Sequence, residues 1–248
     1  MRGDLVGHIF KTKKHGDCVI LKYTKHNNVT VRFIDTNYVT TTSLTHIKNG
    51  FVKDKYAPSV HGVGVVGDFN RGDNIAKQRE YKLWCNMLAR CYLKTYHERN
   101  PSYVNCSASE NFKFYPFFKE WCNRQVGFNN EDWVLDKDIL FKSNKIYSED
   151  TCVFVPHTVN QTFVHKSSTN EGLPIGVCYD KRASKYVSYL RRENKQKFLG
   201  HYNAPDEAFF AYKQAKEDYI KEIANKWRDQ IDPRVYEALM NWTVEITD

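Results

Sequence analysis

A strand–turn–strand–helix pattern occupies residues 185–219, "KYVSYLRRENKQKFLGHYNAPDEAFFAYKQAKEDY". Two runs rich in β-branched and aromatic residues lie on either side of the polar turn "RENK". The preceding run "PIGVCYDK" predicts a third short strand. Pro205 and Asp206 are typical of the first turn of a helix. The stretch therefore predicts a three-stranded antiparallel sheet followed by one helix.

The predicted helix carries a face of small and aromatic residues that suits close packing against a sheet. That face consists of Ala208, Ala211, Tyr212, Ala215, Tyr219 and Ile223. Because side chains alternate between the two faces of a strand, we expect Tyr186, Ser188 and Leu190 to point towards the helix. The outward-facing side chains are then Lys185, Val187, Tyr189 and Arg191, with Arg182, Lys195 and Lys197 at the strand ends.

The outward face is rich in positive charge. The whole chain has a formal net charge of +8 and a sequence pI near 9.0, and residues 181–197 contain seven Lys or Arg side chains and one Glu. Interleaved aromatic residues favour nucleic acid over a membrane surface as the polyanionic partner. Such a face can neutralise phosphates and offer an Arg fork to guanine, although a solvated basic surface without a ligand has the same pattern. The candidate DNA contacts are Arg182, Lys185, Tyr189, Arg191, Lys195 and Lys197.

Residues 176–219 resemble the AP2-type DNA-binding module of plant regulators and phage-borne endonucleases. The matching features are Gly176-Val177, Tyr186 with Leu190, Leu199-Gly200, and a helix that contains Glu207-Ala208 and Ala211-Tyr212. The resemblance implies that the sheet, and not the helix, lies in the major groove. Two positions depart from the family pattern: Tyr186 stands where AP2 members usually carry Trp, and Gln196 where they carry Arg.

A second resemblance covers the centre of the chain. "YKLWCNMLARCY" predicts a helix and "FKFYPFFKEW" a second one, while "LDKDIL" and "CVFVPHTVN" predict two strands and a helix start. From Trp84 to Phe163 these parts resemble the HNH-like segment that precedes AP2 modules in many phage proteins. This resemblance implies a ββα-metal arrangement, in which a hairpin and a helix hold one divalent cation, Mg²⁺ or Mn²⁺, against a scissile phosphate.

The same resemblance assigns roles to individual residues. Asp136 on the hairpin strand and Asn160 at the start of the closing helix are the implied metal ligands. The base of active HNH enzymes is a His next to that acid, and here the position holds Lys137. Lysine is a poor base at neutral pH because its ordinary pKa is about 10.4 and an adjacent carboxylate raises it further, so Lys137 suits a phosphate clamp. His157 is the alternative base. Asp138 could instead complete a metal site of two carboxylates, because a regular strand places it on the same face as Asp136 and opposite Lys137.

The remaining N-terminal part predicts strands. "CVILKY", "NVTVRFI" and "YVTTTSL" are β-branched runs separated by turn residues, which favours a small β-barrel-like or curled sheet. The expected fold class is α+β. Its predicted segments are a β-rich N-terminal module (1–65), an HNH-like ββα domain (66–165), an AP2-like sheet and helix (172–230) and a C-terminal helix (231–248).

These observations predict a DNA-binding, phage-type HNH-like endonuclease that performs metal-assisted phosphodiester hydrolysis on double-stranded DNA. The alternative is a catalytically inactive protein on the same scaffold that binds DNA or a host protein, and RNA binding is a third possibility. No apolar run is long enough for a membrane span, and the N-terminus lacks the apolar core of a secretory signal. We therefore expect a cytoplasmic location, the host cytoplasm if a phage encodes the chain, with the seven cysteines reduced.

Overall fold

The computed structural model describes residues 5–68, 74–163, 172–193 and 195–246. In this part of the chain, helices occur together with several small sheets, none of which is closed. The predicted α+β class is therefore confirmed.

Contacts divide the chain into two compact units. The first contains the residues up to Arg124 together with Lys145–Asp150, and the second contains Gln125–Asn144 together with the chain from Thr151 onwards. The division does not follow the four predicted segments, because residues 66–165 contribute to both units. The four-segment description stays a prediction.

The first unit begins with an antiparallel sheet whose strands follow chain order. They are β1 (Ile9–Lys11), β2 (Asp17–Lys25), β3 (Asn28–Phe33) and β4 (Val39–Thr42). Alternate residues of β2 and β3 are buried, and helix α1 (Leu44–Lys48) adds two side chains to the same core. That core consists of Cys18, Ile20, Val29, Val31, Phe33, Leu44, Ile47 and Val52.

The N-terminal sheet is open, which corrects the expectation of a β-barrel-like module. Among the described residues, β1 pairs with β2 and β4 pairs with β3, and the two outer strands do not meet. These strands have only three and four residues, whereas closing a barrel requires more strands at a steep tilt. α1 completes the core in place of a closing strand pair.

The rest of the first unit packs helices around aromatic side chains. The helices are α2 (Arg79–Tyr92), α3 (Lys94–Arg99), α4 (Glu110–Lys113) and α5 (Tyr115–Arg124), and the short strands β5 (Ser107–Ala108) and β7 (Ile146–Tyr147) pair in parallel. The Trp84 indole Nε1–H donates to the Phe112 carbonyl at 2.7 Å, and Phe112 and Trp121 stack edge to face at 4.8 Å. Tyr115 and Phe118 are also buried. These aromatic residues therefore form a core, and do not present a stacking surface.

The second unit contains a two-stranded hairpin and a short helix. β6 (Trp133–Asp136) pairs antiparallel with β8 (Val153–Pro156), and α6 (His157–Gln161) follows directly. The sequence pattern "WVLDKDIL" predicts a longer first strand than the structure has. β6 ends at Asp136 because its Oδ1 accepts the backbone N–H groups of Asp138 and Ile139 at 2.7 and 2.8 Å, which turns the chain.

The second unit ends with the three-stranded sheet and the helix that the C-terminal pattern predicts. β9 (Val177–Asp180), β10 (Lys185–Arg192) and β11 (Lys195–Tyr202) are antiparallel with β10 in the middle, and α7 (Pro205–Trp227) and α8 (Pro233–Met240) follow. The Trp133 and Trp227 rings meet edge to face at 6.1 Å, so α7 also contacts the hairpin. Among the described residues, no helix is both long and apolar enough to cross a membrane.

A glycine allows the close packing of this sheet on α7. Gly176 has φ +77°, and a Cβ built at this position would lie 2.1 Å from the ring of Tyr212. Only glycine adopts this backbone conformation without strain while leaving room for the ring. Gly176 therefore fixes the distance between the start of β9 and the middle of α7.

The two faces of β10 differ as the alternation predicts. Tyr186 and Leu190 pack into the core against α7, and Ser188 between them is fully buried. Arg192 lies on the same face, where its guanidinium pairs with Glu222 of α7. The other face carries Lys185, Tyr189 and Arg191, but its Val187 is only 1% exposed. Val187 therefore lies on the outward side, as the alternation predicts, but it is buried there.

Ser188 gives a test of this packing. Its hydroxyl is buried and has no hydrogen-bond partner among the described residues, so Ser188→Ala removes a desolvated polar group without losing a hydrogen bond. We expect the free energy of unfolding to rise by about 1 kcal/mol, measured by urea denaturation. Leu190→Ala, two residues along the same face, is the control and should lower it by about 2–5 kcal/mol. A loss of stability in Ser188→Ala would contradict the buried, unpaired hydroxyl.

Candidate nucleic-acid interface and candidate metal centre

Asp136 lies at the end of β6, where strand pairing places it opposite Val153. Its Oδ1 is already occupied by the two backbone N–H groups that end the strand. Burial raises the pKa of the Asp136 carboxyl above its ordinary value, and the N–H groups of Ile139 and Asp138 act in the opposite direction. The protein therefore holds a carboxylate in surroundings that disfavour its charge.

Lys137 and Asp138 contact each other. The ammonium Nζ of Lys137 lies 2.5 Å from Oδ1 of Asp138, with side chains 7% and 48% exposed. A regular strand would place these neighbours on opposite faces, and the expectation of two carboxylates on one face with Lys137 on the other rests on that regularity. The chain turns after Asp136, so the alternation ends there. Lys137 therefore joins Asp138 in one ion pair.

His157 and Asn160 lie on α6, beyond the opposite end of the hairpin. Pro156, directly before His157, pairs with Trp133, and Trp133 is separated from Asp136 by the length of β6, about 10 Å at 3.3 Å per residue. His157 is exposed, Asn160 is half-buried, and no hydrogen bond joins either side chain to Asp136 among the described residues. The structure thus does not bring the alternative base next to the carboxylate.

The side chains around Asp136 fit a divalent cation poorly. A hard cation such as Mg²⁺ needs several oxygen ligands. Asp136 has one oxygen engaged and a raised pKa, and Asp138 is neutralised by Lys137. In the described parts of the chain, no group of three or more His, Cys, Asp or Glu side chains is arranged to hold a metal ion. The pairing of Asp136 with Asn160 as metal ligands stays a prediction.

The outward face of the C-terminal sheet brings several predicted DNA contacts together. We call this surface the outer face and define it by Lys185, Tyr189, Arg191, Gln196, Phe198 and His201. Strand register aligns Tyr189 with Phe198 and Arg191 with Gln196 on one side of the sheet. Among the described residues, neither Lys185 nor Arg191 forms an ion pair, and both are exposed. The face is therefore basic and aromatic.

Three predicted contacts lie elsewhere. Lys195 and Lys197 pair with Arg192 and Leu190, and directly opposite residues share a face, so both lysines lie on the α7 side of the sheet, where they remain exposed. Arg182 lies in the turn between β9 and β10, and its backbone N–H donates to Asp180 Oδ1 at 2.8 Å. These three side chains therefore do not belong to the outer face.

Sequence reasoning missed two residues of the outer face, Phe198 and His201. A bulge at Leu199 shifts the register of β11, because Ser188 pairs with Gly200 while Tyr189 pairs with Phe198. Phe198 is 51% exposed, and its ring lies 5.7 Å from Tyr189 and 5.1 Å from His201. Gly200 inside the strand was the available signal, since an internal glycine often marks a bulge.

One carboxylate borders the outer face. The backbone N–H groups of Arg182 and Ala183 lower the pKa of Asp180, so this carboxylate stays charged. Its Oδ2 lies 3.7 Å from the His201 Nε2. Asp180 therefore limits the positive field at the β9 edge, and the stronger field lies towards Arg191.

Comparisons with known proteins find no match to this chain among protein-family models, curated proteins or solved structures.

The buried carboxylate predicts a pH-dependent stability. Because folding raises the pKa of Asp136, its contribution to stability is present below the unfolded pKa of about 3.9 and is lost as the pH rises through the folded value. Asp136→Asn keeps an oxygen that can accept the two N–H groups but cannot ionise. Its free energy of unfolding relative to the wild type should therefore be higher at pH 7 than at pH 4, measured by denaturant titration.

Asp138→Asn is the matched control for this experiment. It neutralises a carboxylate two residues away that attracts the Lys137 ammonium, so it should lower stability at pH 7. Equal pH profiles for the wild type and Asp136→Asn would contradict the unfavourable burial of Asp136.

Proposed function

We propose that this protein binds double-stranded DNA through the outer face of its C-terminal AP2-like sheet, with Arg191 as the central contact. The observation that carries the proposal is the contrast between two adjacent arginines on β10. Arg192 pairs with Glu222 and lies over the Tyr219 ring at 4.9 Å, whereas Arg191 is exposed and has no ion-pair partner among the described residues. An exposed guanidinium without an ion-pair partner, separated by one register pair from the Tyr189 and Phe198 rings, suits a phosphate or a guanine edge.

The dimensions of the sheet are compatible with the major groove. Three strands at a spacing of about 4.8 Å are roughly 10 Å across. The major groove of B-DNA is about 12 Å wide and admits β-strands. The outer face is also the side of the sheet that α7 leaves uncovered. These features support entry of the sheet, rather than the helix, into the groove.

The side chains of the outer face suit different parts of the DNA. Arg191 and Lys185 are suited to phosphates, and the ring of Phe198 is suited to thymine methyl groups. Gln196, directly opposite Arg191, is suited to adenine. Since most of the charge is sequence-independent, the proposal predicts strongly salt-dependent binding with modest base preference.

The hairpin favours a non-catalytic binding protein over an enzyme. In the described residues no imidazole approaches Asp136, and Lys137, which occupies the position of the HNH base, is held by Asp138. Such a protein would act by occupying DNA, as a regulator or in competition with a host protein. Its seven cysteines are all free, which agrees with a cytoplasmic location in a reducing environment.

The HNH-like endonuclease is the second candidate, because a specific observation favours it. The order β6, β8, α6 is that of a ββα unit, with Asp136 on its first strand and Asn160 on its helix. The unfavourable burial of Asp136 is also typical of residues kept for function rather than stability. As an endonuclease, the protein would use Mg²⁺ or Mn²⁺.

Arg191→Ala tests the binding proposal. Loss of one phosphate or guanine contact should weaken duplex binding and make the slope of log K against log salt less negative by about 1, measured by fluorescence anisotropy. Arg192→Ala removes the same charge from the opposite face and should leave that slope unchanged. If both variants bind like the wild type, the outer face is not the DNA-binding surface.

A plasmid assay separates the two candidates. Supercoiled plasmid is incubated with the wild type, Asp136→Ala and Asn160→Ala in Mg²⁺ or Mn²⁺, and nicking is followed on gels. The binding proposal predicts that the wild type shifts the plasmid in the gel but leaves it supercoiled. Nicking by the wild type that both substitutions abolish would establish the endonuclease instead.

A further inference from the structure

A second basic surface lies at one end of the N-terminal sheet, in the first unit. The turn between β1 and β2 is held tightly, because the Thr12 N–H and hydroxyl both donate to the Gly16 carbonyl at 3.0 and 2.8 Å. The His15 N–H donates to the Thr12 hydroxyl at 2.8 Å. The turn therefore presents Lys13 and Lys14 on a fixed backbone.

The chain that follows α1 packs beside this turn. The Lys13 N–H donates to the Gly50 carbonyl at 2.9 Å, and a Cβ at Gly50 would lie 3.1 Å from the Lys11 carbonyl. The Lys13 ammonium lies 4.2 Å from the centre of the exposed Phe51 ring. Two separate segments of the chain thus meet and form one surface.

We call this surface the turn patch, and it contains five exposed lysines and one exposed ring. Its members are Lys11, Lys13, Lys14, Lys48, Lys53 and Phe51. None of the five ammonium groups forms an ion pair within the described residues. Elsewhere in the same unit, two partly buried lysines form ion pairs with carboxylates, Lys55 with Asp68 and Lys113 with Glu110.

Three carboxylates lie near the turn patch. Asp54 is buried and accepts hydrogen bonds from the Thr36 hydroxyl and the Tyr56 N–H. Asp35 lies beside Gly16, and Asp17 pairs across the strands with Lys11, but neither forms an ion pair with these lysines. The patch therefore keeps a net positive charge that the fold leaves unmatched.

His15 lies close enough to lysines of both segments for their charges to affect its pKa. Burial lowers the pKa of its imidazole, and the ammonium groups of Lys53 and Lys14 act in the same direction, against the attraction of Asp54. Lys14 from the turn and Lys53 from the segment after α1 therefore both lie near the same imidazole. A concentration of like charges is unfavourable in isolation and becomes favourable once a polyanion is bound.

We propose that the turn patch binds the phosphate backbone of double-stranded nucleic acid, as a contact separate from the outer face. Lysines are point charges on flexible stems, which suits phosphates that need charge rather than a planar fork. Duplex DNA carries one negative charge per about 1.7 Å of axis, so several ammonium groups on one short surface can each meet a phosphate. The turn patch would increase the affinity for the duplex and fix the orientation of the protein on it, without recognising the base sequence.

The test compares two double substitutions in the full chain. Lys13→Gln/Lys14→Gln removes two charges from the turn patch. Lys22→Gln/Lys25→Gln removes two exposed charges from the far part of β2, about 16 Å from the turn at 3.3 Å per residue and beyond the screening length of about 10 Å at 0.1 M salt. A fluorescein-labelled duplex of mixed sequence is titrated with each protein by anisotropy at several salt concentrations.

The turn-patch variant should bind more weakly, with a slope of log K against log salt that is less negative by about 2. The control variant should match the wild type, and circular dichroism should show that both variants fold. An unchanged slope for the turn-patch variant, equal losses in both variants, or no duplex binding by the wild type each overturns the proposal. Unchanged duplex binding with loss of poly-L-glutamate binding would assign the patch to an acidic protein.

The result is distinguishable from failure of the proposed function. Arg191→Ala probes the outer face in the same assay, and each surface is scored by its own variant. If only the turn-patch variant loses affinity, the N-terminal sheet is the binding element and the outer face is not.

Discussion

One-sided burial of antiparallel sheets is the constraint on which the charged surfaces of this protein depend. A strand exposes alternate side chains on opposite faces, so a sheet that packs against one helix must present its other face to something else. The C-terminal sheet covers its inner face with α7 and leaves Arg191 and Phe198 outside. The N-terminal sheet covers its inner face with α1. In both sheets the helix side holds the hydrophobic core, and charged side chains can lie on the other side.

The sequence predicted the elements well where a periodic pattern and a turn signal coincide. The three C-terminal strands, α7 and the N-terminal strands all occur where they were expected. The predictions differ from the structure where a local contact or a bulge interrupts the two-residue alternation of a strand. The carboxylate of Asp136 ends β6 by accepting hydrogen bonds from two backbone N–H groups, and the bulge at Leu199 places Phe198, which the sequence analysis missed, on the outer face. Both effects depend on contacts that propensity does not describe.

The candidate metal centre shows which part of the local geometry residue types alone do not determine. Asp136, Lys137 and Asp138 are consecutive, so their arrangement depends entirely on the local backbone. Because the chain turns after Asp136, Lys137 and Asp138 form an ion pair, and Asp136 is buried with a raised pKa. His157 was close in sequence to the second half of the site, but the antiparallel register places it at the other end of the hairpin. Spacing along the chain did not contain this information.

The parallel pairing of β5 with β7 has a consequence for how the protein is made and divided. The chain leaves the first unit after Arg124, returns for Lys145–Asp150 and leaves again. No single cut can release either unit intact, because each is assembled from discontinuous stretches. During synthesis the first unit cannot be completed until residues 125–144 of the second have emerged, and this long sequence separation slows its final closure. The first unit can therefore be completed only after residue 150 has emerged, and the second only after the chain beyond it has followed.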